Sequence, residues 1–439
     1  MAMSSKTIRE PLLRLKSWLP GGDLGRRYAG EEPPLRSELF SADQMEQHGK
    51  SLAASHQLSP GRPQGQLLKR LAENKAVLIG VRNLLTEAVK ANRRITPAAE
   101  WLLDNFYLIE EQIRTAKRHL PKGYSRELPR LLNGPSAGLP RVYDLALETI
   151  SHGDGRVDPE ALSSFTAAYQ TVTALNLGEL WAIPIMLRIA LIENLRRVAV
   201  RIATDRIDRN LADYWADQMT ETAEQDPKSL ILIIADMARS NPPMVSSFVA
   251  ELTRRLQGQG PDLALPLTWI EQRLAESGWT SKDLVQSENQ QQAADQVSMS
   301  NSIGSLRFLG AMDWRVFVET QSVVEQNLRE DTGGVYGKMD FPTRDLYRHV
   351  VEKIAKSSRH SESEVARRAI QLAGEGAARK GGDDRTAHVG FYLIDKGLAQ
   401  LERTVEMRRS LFEALGRVSR RLPLLLYVGT IMLLSLIHI

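Results

Sequence analysis

The chain has 439 residues, 42% of them hydrophobic, so it is long enough for two or three domains with real cores. Its 57 Lys and Arg residues nearly balance 53 Asp and Glu residues, and the net charge of +4 gives no indication of nucleic-acid binding. The absence of cysteine excludes a disulfide framework, a thiolate nucleophile and a zinc-thiolate cluster. It also suits a reducing cytoplasm.

Residues 1–65 are rich in Gly, Pro, Ser and charged side chains and contain few large apolar residues. Such a composition does not bury enough apolar surface to fold alone. The sequence therefore predicts a disordered or weakly ordered N-terminal tail. No secretion signal is predicted, because Glu10 and Lys16 interrupt any apolar core near the start.

The folded part is predicted to begin near Gln66 with a long amphipathic helix. Its apolar residues recur at spacings of three and four, and only Asn74 interrupts them. They are Leu67, Leu71, Leu78, Val81, Leu85 and Ala88.

A second helix is predicted to start at Pro97, with Thr96 as its N-cap, and to stop at Pro121. Its apolar face consists of Leu102, Phe106, Ile109, Ile113, Ala116 and Leu120.

Similar periodic segments continue to about residue 328, without a convincing alternating strand or a repeat of fixed period. The predicted fold class is all-α, with several helices. The turn-forming sequence at 258–261 (GQGP) divides a helical domain at 66–260 from a second helical region at 261–421.

The last segment, 422–439, has no formally charged residue and follows an arginine-rich stretch that includes Arg417, Arg420 and Arg421. About eighteen such residues are close to the minimum for crossing a bilayer. The segment predicts the start of a truncated first transmembrane helix, and the preceding arginines place residues 1–421 on the cytoplasmic side. A buried helix of a water-soluble fold is the alternative.

One segment, 340–348 (DFPTRDLYR), is unusually rich in charged and aromatic residues. Two interpretations are open. Asp340 or Thr343 caps a helix whose side chains form internal ion pairs, or the two arginines, one turn apart, hold a phosphate, a carboxylate or a partner. The candidate residues for a contact or structural motif are Asp340, Arg344, Asp345, Tyr347 and Arg348.

Other polar groups favour structural interpretations. Residues 152–158 (HGDGRVD) predict a turn followed by Asp158 as an N-cap, because the ligand spacing of a calcium loop is missing. Glu179 and Glu193 are expected on solvated helix faces. The eight histidines form no pair at spacing i, i+4 and no HExxH motif, so no metal site is predicted.

A recognisable catalytic centre or cofactor-binding motif is not predicted. Sugar-nucleotide transferases commonly use an Asp-x-Asp pair to hold a divalent ion against the diphosphate, and the chain contains no strict example. Walker and dinucleotide-binding glycine patterns are likewise absent.

From about residue 65 to 420 the chain resembles the N-terminal region of cyclic β-1,2-glucan synthases of Gram-negative bacteria. The resemblance rests on five segments in this order: 91–106 (ANRRITPAAEWLLDNF), 178–184 (GELWAIP), 191–195 (LIENL), 339–345 (MDFPTRD) and 388–395 (HVGFYLID).

The resemblance implies a parent enzyme of the bacterial inner membrane that uses UDP-glucose and a divalent Mg or Mn ion in a transferase domain missing from this chain. Such an enzyme starts a glucan on itself, elongates it and cyclises it. The chain would then be an accessory or regulatory part that contacts the membrane and the downstream transferase domain, with a glucan contact as a further candidate. A helical protein-interaction scaffold without catalytic activity is the alternative, and a glucan-binding or glucan-hydrolysing domain is a third hypothesis.

Overall fold

The computed structural model describes residues 32–59 and 66–408. In this part of the chain nearly all regular structure is α-helical, which confirms the all-α prediction. The strands are β1 (Leu58–Ser59) and β2 (Arg130–Leu131), which pair antiparallel with Leu58 opposite Leu131.

The contacts divide the chain into two units. Unit 1 comprises the described residues up to Thr173 together with Ala182–Asp313, and unit 2 comprises Ala174–Trp181 and the described residues from Trp314 onward. The helices up to Ala311 are α1 (Ala42–Ser55), α2 (Gln66–Lys90), α3 (Pro97–Asp104), α4 (Phe106–His119), α5 (Lys122–Glu127), α6 (Arg141–His152), α7 (Pro159–Gln170), α8 (Leu177–Gln225), α9 (Leu230–Ser240), α10 (Ser246–Leu256), α11 (Ala264–Ala275) and α12 (Ser281–Ala311). The remaining helices are α13 (Trp314–Gln321), α14 (Val323–Arg329), α15 (Phe341–Lys356), α16 (Glu362–Lys380), α17 (Gly390–Leu393) and α18 (Leu398–Thr404).

The unit boundary after Asp313 differs from the predicted boundary at 260/261. Helix α12 packs against α3, α4 and α10, so it belongs to the core of unit 1. The turn at 258–261 connects helices of the same unit. A turn signal marks the end of a helix but carries no information about which helices share a core.

The predicted stripe of α2 is confirmed, because all six of its apolar residues are buried. Asn74, the residue that interrupts the stripe, is buried as well. Its side-chain amide donates a 2.7 Å hydrogen bond to Glu193 Oε2. The polar residue is therefore satisfied inside the core.

The predicted second helix begins as expected, with Thr96 Oγ1 accepting from the Ala99 backbone N–H and Pro97 in the first turn. It is interrupted at Asn105, which separates α3 from α4. The Asn105 side chain donates to the Trp101 carbonyl at 2.9 Å and accepts from the Arg307 guanidinium. An asparagine that bonds to the backbone competes with the helix, and periodicity alone does not report this.

Part of the predicted N-terminal tail is ordered, which corrects the prediction for residues 32–59. Helix α1 has a Ser41–Gln44 capping box and packs on α7. Gly49 of α1 lies so close to α7 that a Cβ at this position would approach the carbonyl oxygen of Phe165 to 2.9 Å. The buried face of α1 consists of Met45, Gly49 and Ala53, and such small residues give a weak hydrophobic signal.

The predicted transmembrane segment 422–439 lies outside the described residues. Among the described residues, no helix combines the length with the apolar character that crossing a bilayer requires.

Candidate functional site

The segment 340–348 opens helix α15 in unit 2. Asp340 is the N-cap residue, although its side chain makes no capping hydrogen bond, and Pro342 lies in the first turn. Tyr347 is buried in the core of unit 2, with its ring 5.9 Å from that of Tyr336. The structure therefore separates Asp340 and Tyr347 from the charged cluster formed by the other three candidates.

Arg344 binds a carboxylate of its own chain. Its Nη2 donates to both oxygens of Glu319, at 2.8 and 2.9 Å, and its Nη1 donates to the Met339 carbonyl at 2.6 Å. Glu319 comes from α13. This is the bidentate geometry that the sequence suggested for a ligand, with an internal carboxylate in the ligand's place.

Arg348 is fully buried and connects three acidic side chains. Its Nη1 donates to Glu325 Oε2 at 2.6 Å and to Glu319 Oε1 at 2.9 Å. Its Nη2 donates to Asp345 at 3.1 Å. The ring of Phe341 lies 5.0 Å from the guanidinium carbon and covers it. The arginines of the segment thus join α13, α14 and α15 of unit 2.

The ionisation of this cluster follows from its contacts. Burial acts to raise the pKa of Glu319, but hydrogen bonds from Arg348 and Arg344 dominate and hold that pKa below its usual value. Burial raises the pKa of Tyr336 strongly, and its hydroxyl donates to Glu325 Oε2 at 2.6 Å, which raises it further. These shifts favour a charged Glu319 and a neutral Tyr336, as an ion-pair network requires.

A second cluster in unit 2 pairs Asp331 with His388. His388 Nδ1 lies 2.7 Å from Asp331 Oδ2, and the Val389 backbone N–H donates to the other carboxylate oxygen at 2.8 Å. Burial acts to raise the pKa of Asp331, but the His388 and backbone bonds lower it overall. His388 Nε2 is buried and has no hydrogen-bond partner among the described residues. An imidazole oriented by a carboxylate in this way can accept a proton.

Sequence reasoning missed Asp331, because a single Asp before Thr-Gly-Gly is an ordinary turn sequence. Its partner lies 57 positions away. His388 itself falls in the segment 388–395 that carries the family resemblance. The spacing of segments along the chain gave no indication that these two residues meet.

The prediction that Glu179 and Glu193 lie on solvated faces is wrong, because both are fully buried. Glu193, on α8, accepts hydrogen bonds from Arg70 (2.7 Å), Arg196 (2.7 Å) and Arg197 (3.0 Å). Burial acts to raise its pKa, but the three guanidinium groups hold it far below its usual value. Helical spacing located Glu193 next to an apolar face and did not reveal Arg70, which comes from α2.

The turn prediction for residues 152–158 agrees with the structure. Asp158 caps α7 by accepting from the backbone N–H groups of Glu160 and Ala161. Asp154 and Gly155 have positive φ angles of 45° and 79°. A Cβ at Gly155 would come within 2.4 Å of Ser302 Oγ, so only glycine fits this turn.

A cleft of about 200 Å³ in unit 1 is lined by residues 94–97 of the first family segment. Two ion pairs flank it, Arg209 with Glu288 and Arg254 with Glu251. Burial acts to raise the pKa of Glu251, but the Arg254 hydrogen bond lowers it. Guanidinium donors and carboxylate acceptors on one surface can hydrogen-bond a neutral polyhydroxyl ligand.

These features define an all-helical protein with two units, each stabilised by buried arginine–carboxylate networks. No protein-family model matches the chain. Over 406 residues, or 92% of its length, the chain is 32% identical to "Cyclic beta-(1,2)-glucan synthase NdvB" of Rhizobium meliloti (strain 1021). The resemblance to cyclic β-1,2-glucan synthases is therefore confirmed. The chain spans 14% of the length of that relative.

Proposed function

We propose that this chain is the N-terminal accessory part of a membrane-bound cyclic β-1,2-glucan synthase. The similarity to the Rhizobium meliloti protein over 92% of the chain carries the proposal. In this assignment the chain docks against the transferase domain of the same polypeptide and helps to organise it. The buried networks around Glu193 in unit 1 and around Glu319 and Glu325 in unit 2 support such a role, because buried charge pairs hold helices in one register.

Catalysis belongs, in this proposal, to parts of the synthase outside the 439 residues. Those parts use UDP-glucose as donor and a Mg or Mn ion to neutralise the diphosphate leaving group. In this proposal Arg344, Arg348 and Asp345 have a structural role, since the two arginines already bind Glu319 and Glu325, and Asp345 binds Arg348. The finer assignment of the segment 422–439 as the first transmembrane helix, with residues 1–421 on the cytoplasmic side of the inner membrane, is part of the same proposal.

A chimeric synthase tests the accessory role. The matching segment of the Rhizobium meliloti synthase is deleted in one variant and replaced by this chain in another. Membranes from each strain are incubated with radiolabelled UDP-glucose, and neutral cyclic glucan is separated and counted. We expect the deletion to lose cyclic product and the replacement to restore it. A deletion variant that keeps full activity would contradict the accessory role.

A second candidate function, a scaffold for a protein partner, is favoured by exposed apolar side chains in unit 1. Ile231 and Leu232 on α9 are each 61% exposed, and Trp279 is 53% exposed. Exposed apolar side chains of this size are common in protein contacts. Replacing Ile231 and Leu232 by Ser in the chimera separates the two candidates. Loss of cyclic product indicates docking within the synthase, whereas unchanged product leaves the surface for another partner.

The cleft at residues 94–97 supports a glucan contact as a third candidate. Arg94 lines this cleft and is exposed, and its side chain makes no described contact. Titrating the chain with linear β-1,2-glucan in a calorimeter tests it. Binding that is weakened by Arg94→Ala and unchanged by Arg114→Ala, an exposed arginine on α4, would support the contact. If the titration of the unmodified chain gives no heat of binding, the glucan-contact hypothesis is wrong.

A further inference from the structure

Two histidines and a glutamate converge in unit 1, away from the clusters described above. Glu148 and His152 lie one turn apart on α6, and His48 reaches them from α1. One ligand atom from each lies within 4.8 Å of the other two. His48 Nε2 is 2.8 Å and His152 Nε2 is 3.3 Å from the same oxygen, Glu148 Oε2.

The hydrogen bonds of His152 fix where its proton lies. Its Nδ1 is 2.7 Å from the backbone carbonyl oxygen of Glu38, which only accepts, so Nδ1 carries a hydrogen. In the neutral imidazole, Nε2 then presents a lone pair to Glu148 Oε2, which also has only lone pairs. These two atoms repel unless a positive charge lies between them or a second proton binds the ring.

The surroundings match those of a metal-binding histidine. Such a ligand commonly donates its second ring N–H to a carbonyl, as His152 does to Glu38. The Phe40 ring stacks on His152 at 3.7 Å between centroids and fixes the plane of the imidazole. The three side chains remain 10–29% exposed, so an ion and a water molecule can reach them from solvent.

We propose that His48, Glu148 and His152 bind a divalent transition-metal ion of the zinc class, with a solvent water as the fourth ligand. Two imidazoles and a carboxylate are a known ligand set for zinc. Ligands at about 2.0–2.2 Å from one ion lie about 3.3–3.6 Å apart in a tetrahedron. His152 Nε2 and Glu148 Oε2 have this spacing at 3.3 Å, and His48 Nε2 lies nearer to the same oxygen, at 2.8 Å. The ion would link α1 to α6. The pattern of two histidines at spacing i, i+4 did not predict this site, because the residue four positions before His152 is Glu148.

The test uses the purified full chain, stripped with EDTA. Zinc content is measured by mass spectrometry after equilibrium dialysis, and Co²⁺ is added separately to record its visible absorption bands. We expect one ion per chain and intense four-coordinate cobalt bands. His48→Gln and His152→Gln are expected to bind at least about tenfold more weakly. His119→Gln, an exposed histidine on α4, is the matched control and binds as the unmodified chain does.

Two results would overturn the proposal. One is an unmodified chain that retains no zinc and shows no four-coordinate cobalt bands, which would show that the three side chains contact one another without an ion. The other is metal binding that survives both His48→Gln and His152→Gln, which would place the ion elsewhere. The cobalt measurement on the unmodified chain decides the first case without any variant, and circular dichroism confirms that the variants are folded.

Discussion

At the scale of single residues, arginine is the side chain that joins helices in both units. Arg70 of α2 is bonded to the buried Glu193 of α8, and the buried Arg348 of α15 is bonded to the buried Glu325 of α14. A buried charge is costly unless its partner is in place. These pairs therefore make the arrangement of their helices specific, because any other packing would leave a charge without its counterion.

Removing one member of the Arg348–Glu325 pair should strongly destabilise unit 2. We expect Glu325→Leu to lower the free energy of unfolding by about 3–5 kcal/mol, because it leaves Arg348 buried without its closest partner. The double variant Glu325→Leu/Arg348→Met should recover most of this loss. Urea unfolding followed by circular dichroism measures both.

The exposed pair Glu375–Arg379 on α16 is the matched control for that prediction. Its side chains are 42% and 72% exposed. Glu375→Gln should change the free energy of unfolding by less than about 0.5 kcal/mol. A Glu325→Leu variant no less stable than this control would show that the buried network contributes little.

Glu362 gives a prediction about pH. Burial raises the pKa of its carboxyl to about 7; the Leu177 backbone N–H bond opposes this, and repulsion from Glu352 and Glu179 adds to it. The folded state therefore holds the proton more tightly than the unfolded state. The resulting stability is fully present below the unfolded pKa and is lost as the pH rises through about 7.

The variant Glu362→Gln keeps an acceptor for the Leu177 N–H, which is 2.8 Å away, and removes the titration. Between about pH 5 and 8 the unmodified chain should lose roughly 3 kcal/mol through this group, and the variant should not. Urea midpoints at the two ends of this range measure the difference. If the variant shows the same slope as the unmodified chain, Glu362 is not the group responsible.

At the scale of elements, the close contact between α16 and the turn at Arg385–Ala387 in unit 2 depends on a glycine at one position of that helix. Gly376 on α16 faces the turn at Arg385–Ala387, and a Cβ there would stand 2.1 Å from the Thr386 carbonyl oxygen. Gly374, two positions earlier on the same helix, has its nearest neighbour at 3.7 Å. The first position requires glycine for close approach, and the second does not.

We expect opposite effects from the same substitution at these two glycines. Gly374→Ala should stabilise the chain by up to about 1 kcal/mol, because alanine favours a helix over glycine. Gly376→Ala should destabilise it by about 1–3 kcal/mol, because backbone would have to move. Thermal unfolding of both variants provides the comparison, and equal shifts in Tm would contradict the close contact.

The elements that the sequence predicted well are those with large apolar residues at helical spacing. The stripe from Leu67 to Ala88 is buried as expected, and the caps at Thr96 and Asp158 are formed. Helix α1 was missed because its buried face contains Gly49 and Ala53, which contribute little hydrophobicity. Periodicity reports how much apolar surface an element has, and small residues in tight contact have little.

At the scale of the whole molecule, the membrane assignment is the proposal with the widest consequence. The full chain and a chain ending at Arg421 are expressed and fractionated in parallel. Only the full chain should sediment with membranes and require detergent, because 422–439 is uncharged and about long enough to span a bilayer. A full chain that stays in solution without detergent would contradict the membrane proposal.

The sequence by itself determined the all-helical class and the family resemblance, because both depend on the order and periodicity of residues along the chain. Only the tertiary structure decided the partners of the charged residues: Glu319 and Glu325 for Arg344 and Arg348, and Asp331 for His388. It also decided that α12 belongs to unit 1. The sequence gives the charge of each side chain, but the groups that pair with Arg344, Arg348 and His388 come from distant parts of the chain, and these pairings are fixed only when the helices and turns pack.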